Sequence, residues 1–233
     1  FITSFDRPNI RYRMCEKVQG YLDQAVNFIV GEHLHESGIV YCATRRRTEE
    51  VAKVLQEKGI DTLIYHAGLE PQVRELNQRL FFERPCVMVA TVAFGMGIDK
   101  PDVRFIIHVD MPRSIENFFQ ETGRAGRDGL PAESVLFYGL EDVVQQRFFV
   151  ENSDAEDLYK QVCLHKLDSM LGLAESVQCR RQLLLAYFGE HSDKCGNCDN
   201  CENPPQMKNA SDDAQKLLSC IYRCSKTNNL GFG

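Results

Sequence analysis

The chain has 233 residues, of which 43% are hydrophobic and 26% are charged. This composition can bury a core, and it excludes disordered, collagen-like and low-complexity classes. No apolar run approaches the roughly 18 residues of a membrane span, so we expect no membrane partner. The sequence opens without Met and without the pattern of a signal peptide, and we expect it to be a piece of a longer protein.

The charge balance by itself argues against a nucleic-acid partner. There are 27 Lys and Arg against 33 Asp and Glu, which gives a net charge of -6, whereas phosphate binding needs cations. The basic residues are clustered, however: three consecutive arginines begin at Arg45, Arg124 and Arg127 lie three apart, and Arg180 and Arg181 follow a cysteine. The net charge therefore does not exclude local basic patches that could bind phosphate.

Strand-like and helix-like segments alternate from about residue 38 to 150. Thr44 and Ser114 can each cap a following helix, and Gly59 can end the first of these helices. Alternation of this kind is typical of an α/β fold with a parallel sheet and helices on both faces. The strands are predicted at 38–43, 61–66, 87–91, 103–109 and 133–138, and the helices at about 44–58, 70–82 and 114–122.

The strand pattern ends near residue 141, and helical patterns replace it. Helices are predicted at 141–151, 156–172, 176–189 and 210–224, and a cysteine cluster and the breaker Asn203-Pro-Pro precede the last of them. We therefore expect a second, helical domain after the α/β domain.

Four cysteines predict a metal centre. Cys195, Cys198 and Cys201 form a CxxCxxC run, and Cys179 lies upstream in the helix predicted at 176–189. Four thiolates match the all-sulfur tetrahedron of structural zinc. An iron–sulfur cluster stays open as the rival, although its motif would place a further Cys at position 205, where this chain has Pro. We expect the other six cysteines to be ordinary reduced thiols.

Three loops at predicted strand and helix ends are suited to phosphate. Thr44-Arg-Arg-Arg47 begins a helix, whose N-terminal amides favour an anion; a solvated basic turn would explain it equally well. Thr91–Asp99 follows a buried strand and holds two glycines at spacing two, which is a weak signal alone. Gln120–Gly129 holds Arg124 and Arg127, each beside a Gly, where planar guanidinium groups could reach a phosphate.

Two nucleotide-binding patterns are missing from the sequence. It contains no GxxxxGK[ST] loop and no Asp-Glu dipeptide. The chain therefore cannot cradle a nucleoside triphosphate and Mg²⁺ in the usual way. It can only contribute residues to a site that is built mainly elsewhere.

Several long motifs resemble the second RecA-like lobe of RecQ-family DNA helicases, followed by the zinc-binding domain of that family. The matching runs are Ser4–Ile10, Tyr41–Arg45, Tyr65–Leu69, Val89–Pro101, Gln120–Gly129, Cys179–Glu190 and the CxxCxxC run. Residues 210–224 resemble the start of a winged-helix domain. The resemblance implies a RecA-like lobe at 1–140, a helical zinc-binding domain at 141–205 and a truncated winged helix at 206–233.

The resemblance also implies roles for the loop residues. Arg127 would be an arginine finger for ATP bound on a first lobe, and Arg124 would couple the state of the ATP to DNA. Asp99 stands where the family often has Asn, which leaves its contact open. The implied nucleotide contacts are Gln120, Gly97 and Asp99, and the implied DNA contacts are Thr44, Arg45, His66 and Thr91.

The implied function is that of half of an ATP-dependent helicase core, which moves 3′ to 5′ on single-stranded and forked DNA in repair and recombination. ATP and Mg²⁺ would be bound mainly by a first lobe, so this chain alone would be inactive. Its partners would be that lobe and a winged-helix domain, and its location a bacterial-type cytoplasm, at the nucleoid. Two alternatives stay open: a non-enzymatic zinc-stabilised DNA- or protein-binding module, and half of an RNA helicase.

Overall fold

The structure, a computed structural model, describes residues 4–95 and 98–228. A six-stranded sheet in the order β1-β6-β5-β2-β4-β3 forms its centre, and all neighbouring strands are parallel. The strands are β1 (Ile10–Glu16), β2 (Ser37–Tyr41), β3 (Thr62–Tyr65), β4 (Val87–Ala90), β5 (Val103–His108) and β6 (Ala132–Tyr138).

The central strands are apolar on both faces because helices cover both sides of the sheet. Every residue of β2 and β4 is buried. Ile39 and Met88 belong to one core, while the alternate residues Val40 and Val89 belong to the other. This alternation confirms the predicted parallel sheet with helices on both faces.

The described residues contain nine helices. They are α1 (Tyr21–Glu32), α2 (Arg45–Glu57), α3 (Pro71–Glu83), α4 (Ile115–Thr122), α5 (Leu140–Glu151), α6 (Asp157–Glu175), α7 (Arg180–Tyr187), α8 (Asp199–Glu202) and α9 (Ser211–Asn228). Residues of α1 and α2 lie in one core, and residues of α3 to α7 lie in the other.

The predicted caps are present. Thr44 Oγ1 accepts a hydrogen bond from Arg47 N at 3.1 Å, and Ser114 Oγ accepts one from Asn117 N at 3.2 Å. Gly59 follows the end of α2 with a φ of +79°, a conformation in which glycine carries no Cβ penalty. Local hydrogen-bonding chemistry therefore sets these helix ends.

Two parts of the sequence prediction differ from the structure. No element was predicted before residue 38, yet β1 and α1 lie there. Strand β1 is at the edge of the sheet beside β6, and its Arg11 and Arg13 interrupt the apolar pattern. The helix predicted at 176–189 is wrong at its start, because Cys179 is the N-cap of α7 and not an interior residue.

The described residues up to Asn203 form one compact unit, and those from Pro204 onward form another. In the first unit, Leu167 and Met170 of α6 share a core cluster with sheet residues. The second unit contains α9, which leaves Leu217 and Leu218 exposed. The domain boundary expected at residue 140 stays a prediction. Among the described residues, no helix combines the length and apolarity that crossing a bilayer requires.

Gly38 generates a stability prediction. A Cβ built on Gly38 would lie 2.0 Å from Cζ of Phe105, whose buried ring covers this point of β2. We expect Gly38→Ala to destabilise the chain by about 1–3 kcal/mol through overpacking. Urea unfolding followed by circular dichroism measures the change. The control is Gly172→Ala in α6, where a Cβ meets no atom within 4 Å; it should be neutral or stabilising by up to about 1 kcal/mol. Equal midpoints for the two variants would contradict the steric explanation.

Candidate functional site

The four predicted metal-binding cysteines meet at one point. Their sulfur atoms all lie within 4.8 Å of one another, and Cys195 Sγ lies 3.9 Å from Cys201 Sγ. A tetrahedral zinc ion with bonds of about 2.3 Å separates its sulfur ligands by about 3.8 Å. All four are free thiols. The donor set and its dimensions therefore fit a structural zinc ion with four protein ligands.

Helix ends and a tight turn position these sulfurs. Cys179 is the N-cap of α7, and Cys198 is the N-cap of α8. Gly196 has a φ of +64°, which lets the chain turn between two ligands. Cys195 N donates a hydrogen bond to Cys179 Sγ at 3.3 Å. The start of α7 therefore supplies one sulfur, from Cys179, and the CxxCxxC segment supplies the other three.

The thiols differ in acidity. Burial raises the pKa of Cys198 and of Cys195. Burial also acts to raise the pKa of Cys179, but hydrogen bonds from the amides of Cys195 and Gln182 and from neighbouring thiols outweigh it and lower the pKa to about 7. A metal ion would have to displace protons from Cys195 and Cys198, which couples metal binding to pH.

Arg180 and Arg181, which the sequence presents as a basic patch, are buried. Arg180 Nη1 donates to the carbonyl oxygens of Leu173 and Ser176 at 2.7 and 2.8 Å. Arg181 Nη2 donates to Ile10 O at 2.7 Å. Both guanidinium groups are occupied by backbone carbonyls, so they serve the packing of this region and are not free for phosphate.

The loops after β2 and β3 lie side by side at the carboxyl edge of the sheet. Arg45 is exposed, and its Nη1 atom lies 3.1 Å from the position that a Cβ on Gly68 would take. His66 is buried, and its Nδ1 atom accepts a hydrogen bond from Gly68 N at 3.2 Å. Thr44, the cap of α2, precedes Arg45. Three of the four predicted DNA contacts therefore share one edge.

The loop after β4 lies beside the same edge. Thr91 N donates to Tyr65 O at 3.2 Å, at the end of β3. Farther along the loop, Phe94 O accepts a hydrogen bond from the Tyr41 hydroxyl at 3.0 Å. Burial raises the pKa of Tyr41, so its hydroxyl remains a donor. Gly97, a predicted nucleotide contact, lies outside the described residues.

The two arginines of the Gln120–Gly129 loop occupy different environments. Arg124 is 7% exposed, and its Nη2 atom lies 2.8 Å from the position of a Cβ on Gly95. Its Nε atom is buried and has no hydrogen-bond partner. Arg127 is more exposed, and its Nη1 atom donates to Asp99 Oδ1 at 2.7 Å. Gln120 is exposed on α4. The structure thus joins Asp99 and Arg127, which the sequence did not predict.

Sequence reasoning missed a polar pair and an ion-pair cluster at this edge. His108 Nε2 lies 2.7 Å from Glu121 Oε2, and both side chains are buried. Lys17 Nζ lies 2.6 Å from Asp142 Oδ1 and 3.3 Å from Asp110 Oδ1. His108 ends β5 and Asp110 follows it, so the rule that functional loops follow parallel strands could have pointed to both.

Two family models match the chain. The model described as the helicase conserved C-terminal domain matches residues 20–129, and the model described as RecQ zinc-binding matches residues 140–202. The two models thus define a helicase C-terminal domain followed by a zinc-binding domain, in agreement with the fold and the cysteine cluster.

Curated relatives specify the family. The chain is 48% identical over 226 residues to the "ATP-dependent DNA helicase RecQ" of Pasteurella multocida, covering 96% of this chain and 35% of that protein. It is 39% identical to the protein of the same name from Bacillus subtilis, covering 95% and 37%. The chain belongs to the RecQ helicase family. It spans about a third of the length of these relatives.

Solved structures agree on the fold. The C-terminal domain of the DEAD-box protein Dbp5 matches with a TM-score of 0.51 at 21% identity, covering 68% of this chain and 98% of that chain. S. cerevisiae Dbp5 bound to RNA and ADP BeF3 matches with a TM-score of 0.52 at 21% identity, covering 70% and 46%. At this identity the likeness concerns the RecA-like fold alone.

The sulfur cluster generates a metal prediction. We expect the purified chain to contain about one zinc ion per molecule, because four thiolates complete a tetrahedron. Cys198→Ser should lose most of this zinc and much of its solubility, since metal binding contributes to folding here. Elemental analysis measures the content. Cys163→Ser, outside the cluster in α6, should keep the zinc. Iron with visible absorbance would contradict the zinc assignment.

Proposed function

We propose that this chain is the second RecA-like lobe and zinc-binding domain of an ATP-dependent DNA helicase that moves 3′ to 5′ in DNA repair and recombination. The observation that carries the proposal is the placement of Arg124 and Arg127 beside the Thr91–Asp99 loop, in a chain without a phosphate-binding loop of its own. Arginines so placed can act on a nucleotide held by another lobe. The relatives named as ATP-dependent DNA helicases support DNA over RNA.

Arg127 suits the role of an arginine finger because the ion pair that it forms in this structure is weak. The Asp99 carboxylate is 80% exposed and the Arg127 side chain 36%. An exposed ion pair of this kind is worth about 0–1 kcal/mol, so a triphosphate with several negative charges can displace it. ATP and Mg²⁺ would be bound mainly by the first lobe, with Gln120, Gly97 and Asp99 contributing from this side.

Arg124 suits a coupling role because it is buried under the loop that follows β4. Its guanidinium group lies against Gly95, and Thr91 at the start of that loop faces β3. A shift of Arg124 toward phosphate would therefore move the loop. Because Thr91 is one of the proposed DNA contacts, the state of the ATP would reach the DNA strand.

The proposed DNA contacts combine a cation with helix amides. Arg45 is exposed at the N-terminus of α2, next to Thr44 and close to His66. Amides and a positive helix end favour phosphate, and a guanidinium group adds charge. We propose single-stranded and forked DNA as the partner of this edge.

The zinc ion would hold the helical region together through Cys179, Cys195, Cys198 and Cys201. A first RecA-like lobe and a winged-helix domain of the same protein are the proposed partners of the chain. A bacterial-type cytoplasm, at the nucleoid, is the proposed location.

Arg127 is tested in a protein that contains both lobes. An arginine finger acts on charge that develops in the transition state. We expect Arg127→Ala to lower DNA-stimulated ATP hydrolysis by about 10³ to 10⁵ while ATP affinity changes little. Arg127→Lys should recover little, because a point charge lacks the planar fork. Steady-state hydrolysis and nucleotide binding measure the two effects.

The matched control is Arg79→Ala, which removes an exposed arginine of α3 that pairs with Glu83; its turnover should stay normal. Arg124→Ala is the companion variant and should permit hydrolysis but block unwinding. Near-normal turnover in Arg127→Ala, with loss in Arg124→Ala, would show that the finger is Arg124.

Arg45 is tested by the salt dependence of binding to single-stranded DNA. Arg45→Ala should weaken binding about equally for all sequences and lower the slope of log K against log salt by about one unit, because one phosphate contact is lost. Arg46→Ala is the control: its side chain is 90% exposed and pairs with Glu50 at 2.8 Å, so it should change the slope less. Equal slopes for both variants and the unchanged protein would contradict the DNA contact and would indicate that these arginines are only a solvated surface.

A further inference from the structure

One segment with a turn at Pro8 and Asn9, Ser4–Ile10, lies between the α7 region and the Gln120–Gly129 loop. We call this segment the strap. It precedes the sheet and ends at the first residue of β1. Neither the proposed nucleotide contacts nor the proposed DNA contacts include it. The Arg7 side chain and the Pro8 carbonyl nevertheless form hydrogen bonds with partners more than a hundred residues away in sequence.

On one side, the strap holds the backbone of the loop that carries Arg124 and Arg127. Arg7 Nη1 donates to Gly123 O at 2.9 Å, and Arg7 Nη2 donates to Ala125 O at 2.8 Å and to Gly126 O at 3.0 Å. These carbonyls flank Arg124 on both sides and directly precede Arg127. One guanidinium group therefore fixes the peptide planes from which both arginines project.

Asn9 adds a second clamp at the same place. Asn9 Nδ2 donates to Gly126 O at 2.8 Å and to Leu130 O at 2.9 Å. Gly126 has a φ of +55°, and a Cβ on it would lie 2.4 Å from Asn9 Nδ2. A side chain at this position would be strained by the backbone, and its Cβ would also lie 2.8 Å from Leu130 O. The loop and the strap are therefore built to fit each other.

On the other side, the strap is held by α7 and the residues after it. Arg181 Nη2 donates to Pro8 O at 3.1 Å and to Ile10 O at 2.7 Å. The Glu190 carboxylate accepts hydrogen bonds from Ser4 Oγ at 2.6 Å and Phe5 N at 2.8 Å. The Phe5 ring stacks on Phe188 with centroids 4.9 Å apart. Because Cys179 caps α7, the strap joins the cysteine cluster to the arginine loop.

We propose that Arg7 is a positioning residue for the reaction, and that the strap transmits the order of the zinc-binding region to the two arginines. The inference rests on the proposed function of Arg124 and Arg127. Arg7 touches neither ATP nor DNA in this role. It keeps three carbonyls satisfied and the loop in one conformation, and a misplacement of a catalytic group by about 1 Å can cost about a hundredfold in rate.

The test compares Arg7→Ala with the unchanged protein that contains both lobes. We expect kcat for DNA-stimulated ATP hydrolysis to fall by about 10- to 100-fold, with KM for ATP and zinc content nearly unchanged. Arg7→Lys should recover little, because one ammonium group cannot span three carbonyls as a planar fork does. Asn9→Ala removes the bond to Leu130 O and one of the two bonds to Gly126 O, so it should lower kcat in the same direction by a smaller factor.

Arg13→Ala is the matched control. Arg13 lies in β1 shortly after the strap and pairs with Glu32 and Glu133, away from the arginine loop. It should keep a normal kcat. The double variant Arg7→Ala/Arg127→Ala should be no slower than Arg127→Ala alone, because Arg7 acts through the loop that carries Arg127.

The outcomes separate this inference from the proposed function. A normal kcat in Arg7→Ala beside an inactive Arg127→Ala would overturn the positioning role and leave the finger intact. Additive losses in the double variant would also overturn it. A normal kcat in Arg127→Ala would instead overturn the assignment of the finger itself.

Discussion

The Arg180 guanidinium group is the contact on which the helical region depends. It is 5% exposed and bonded to the last carbonyls of α6 and to Asp199 Oδ1 at 3.0 Å. The other oxygen of Asp199 accepts a hydrogen bond from Met14 N of β1 at 2.9 Å. One buried cation therefore connects α6, α7, α8 and the edge of the sheet. Such a cation is tolerated only with every donor satisfied, so these elements are held in one arrangement.

That arrangement connects the cysteine cluster to the sheet edge, although they are different kinds of site. Cys179 and Cys198 cap the two helices that Arg180 joins through Asp199. Arg181, the next residue, holds the strap, and the strap holds the arginine loop. Consecutive arginines thus connect the cluster to the sheet on one side and to the loop on the other.

Two ion pairs near the sheet edge differ in burial and therefore in how easily they separate. Lys17 and Asp142 are buried together, and burial raises the pKa of Asp142 against the opposing effect of Lys17; such a pair is costly to separate. The pair of Arg127 and Asp99 is exposed and readily exchanged. The buried pair thus lies in the scaffold, and the exposed pair lies at the loop where a phosphate would compete in the proposed function.

The sequence by itself determined the parallel sheet with helices on both faces, the caps Thr44 and Ser114, and the four clustered cysteines. Each depends on local chemistry: apolar runs, hydroxyl caps and ligand spacing. Only the tertiary structure decided the partners of the arginines. Arg45 and Arg46 are the same residue type and adjacent in sequence, but they have different contacts. Arg180 and Arg181 are buried, although the sequence suggests a basic surface patch. The strap contacts join residues more than a hundred positions apart, and no local pattern encodes which carbonyl a distant guanidinium group will meet.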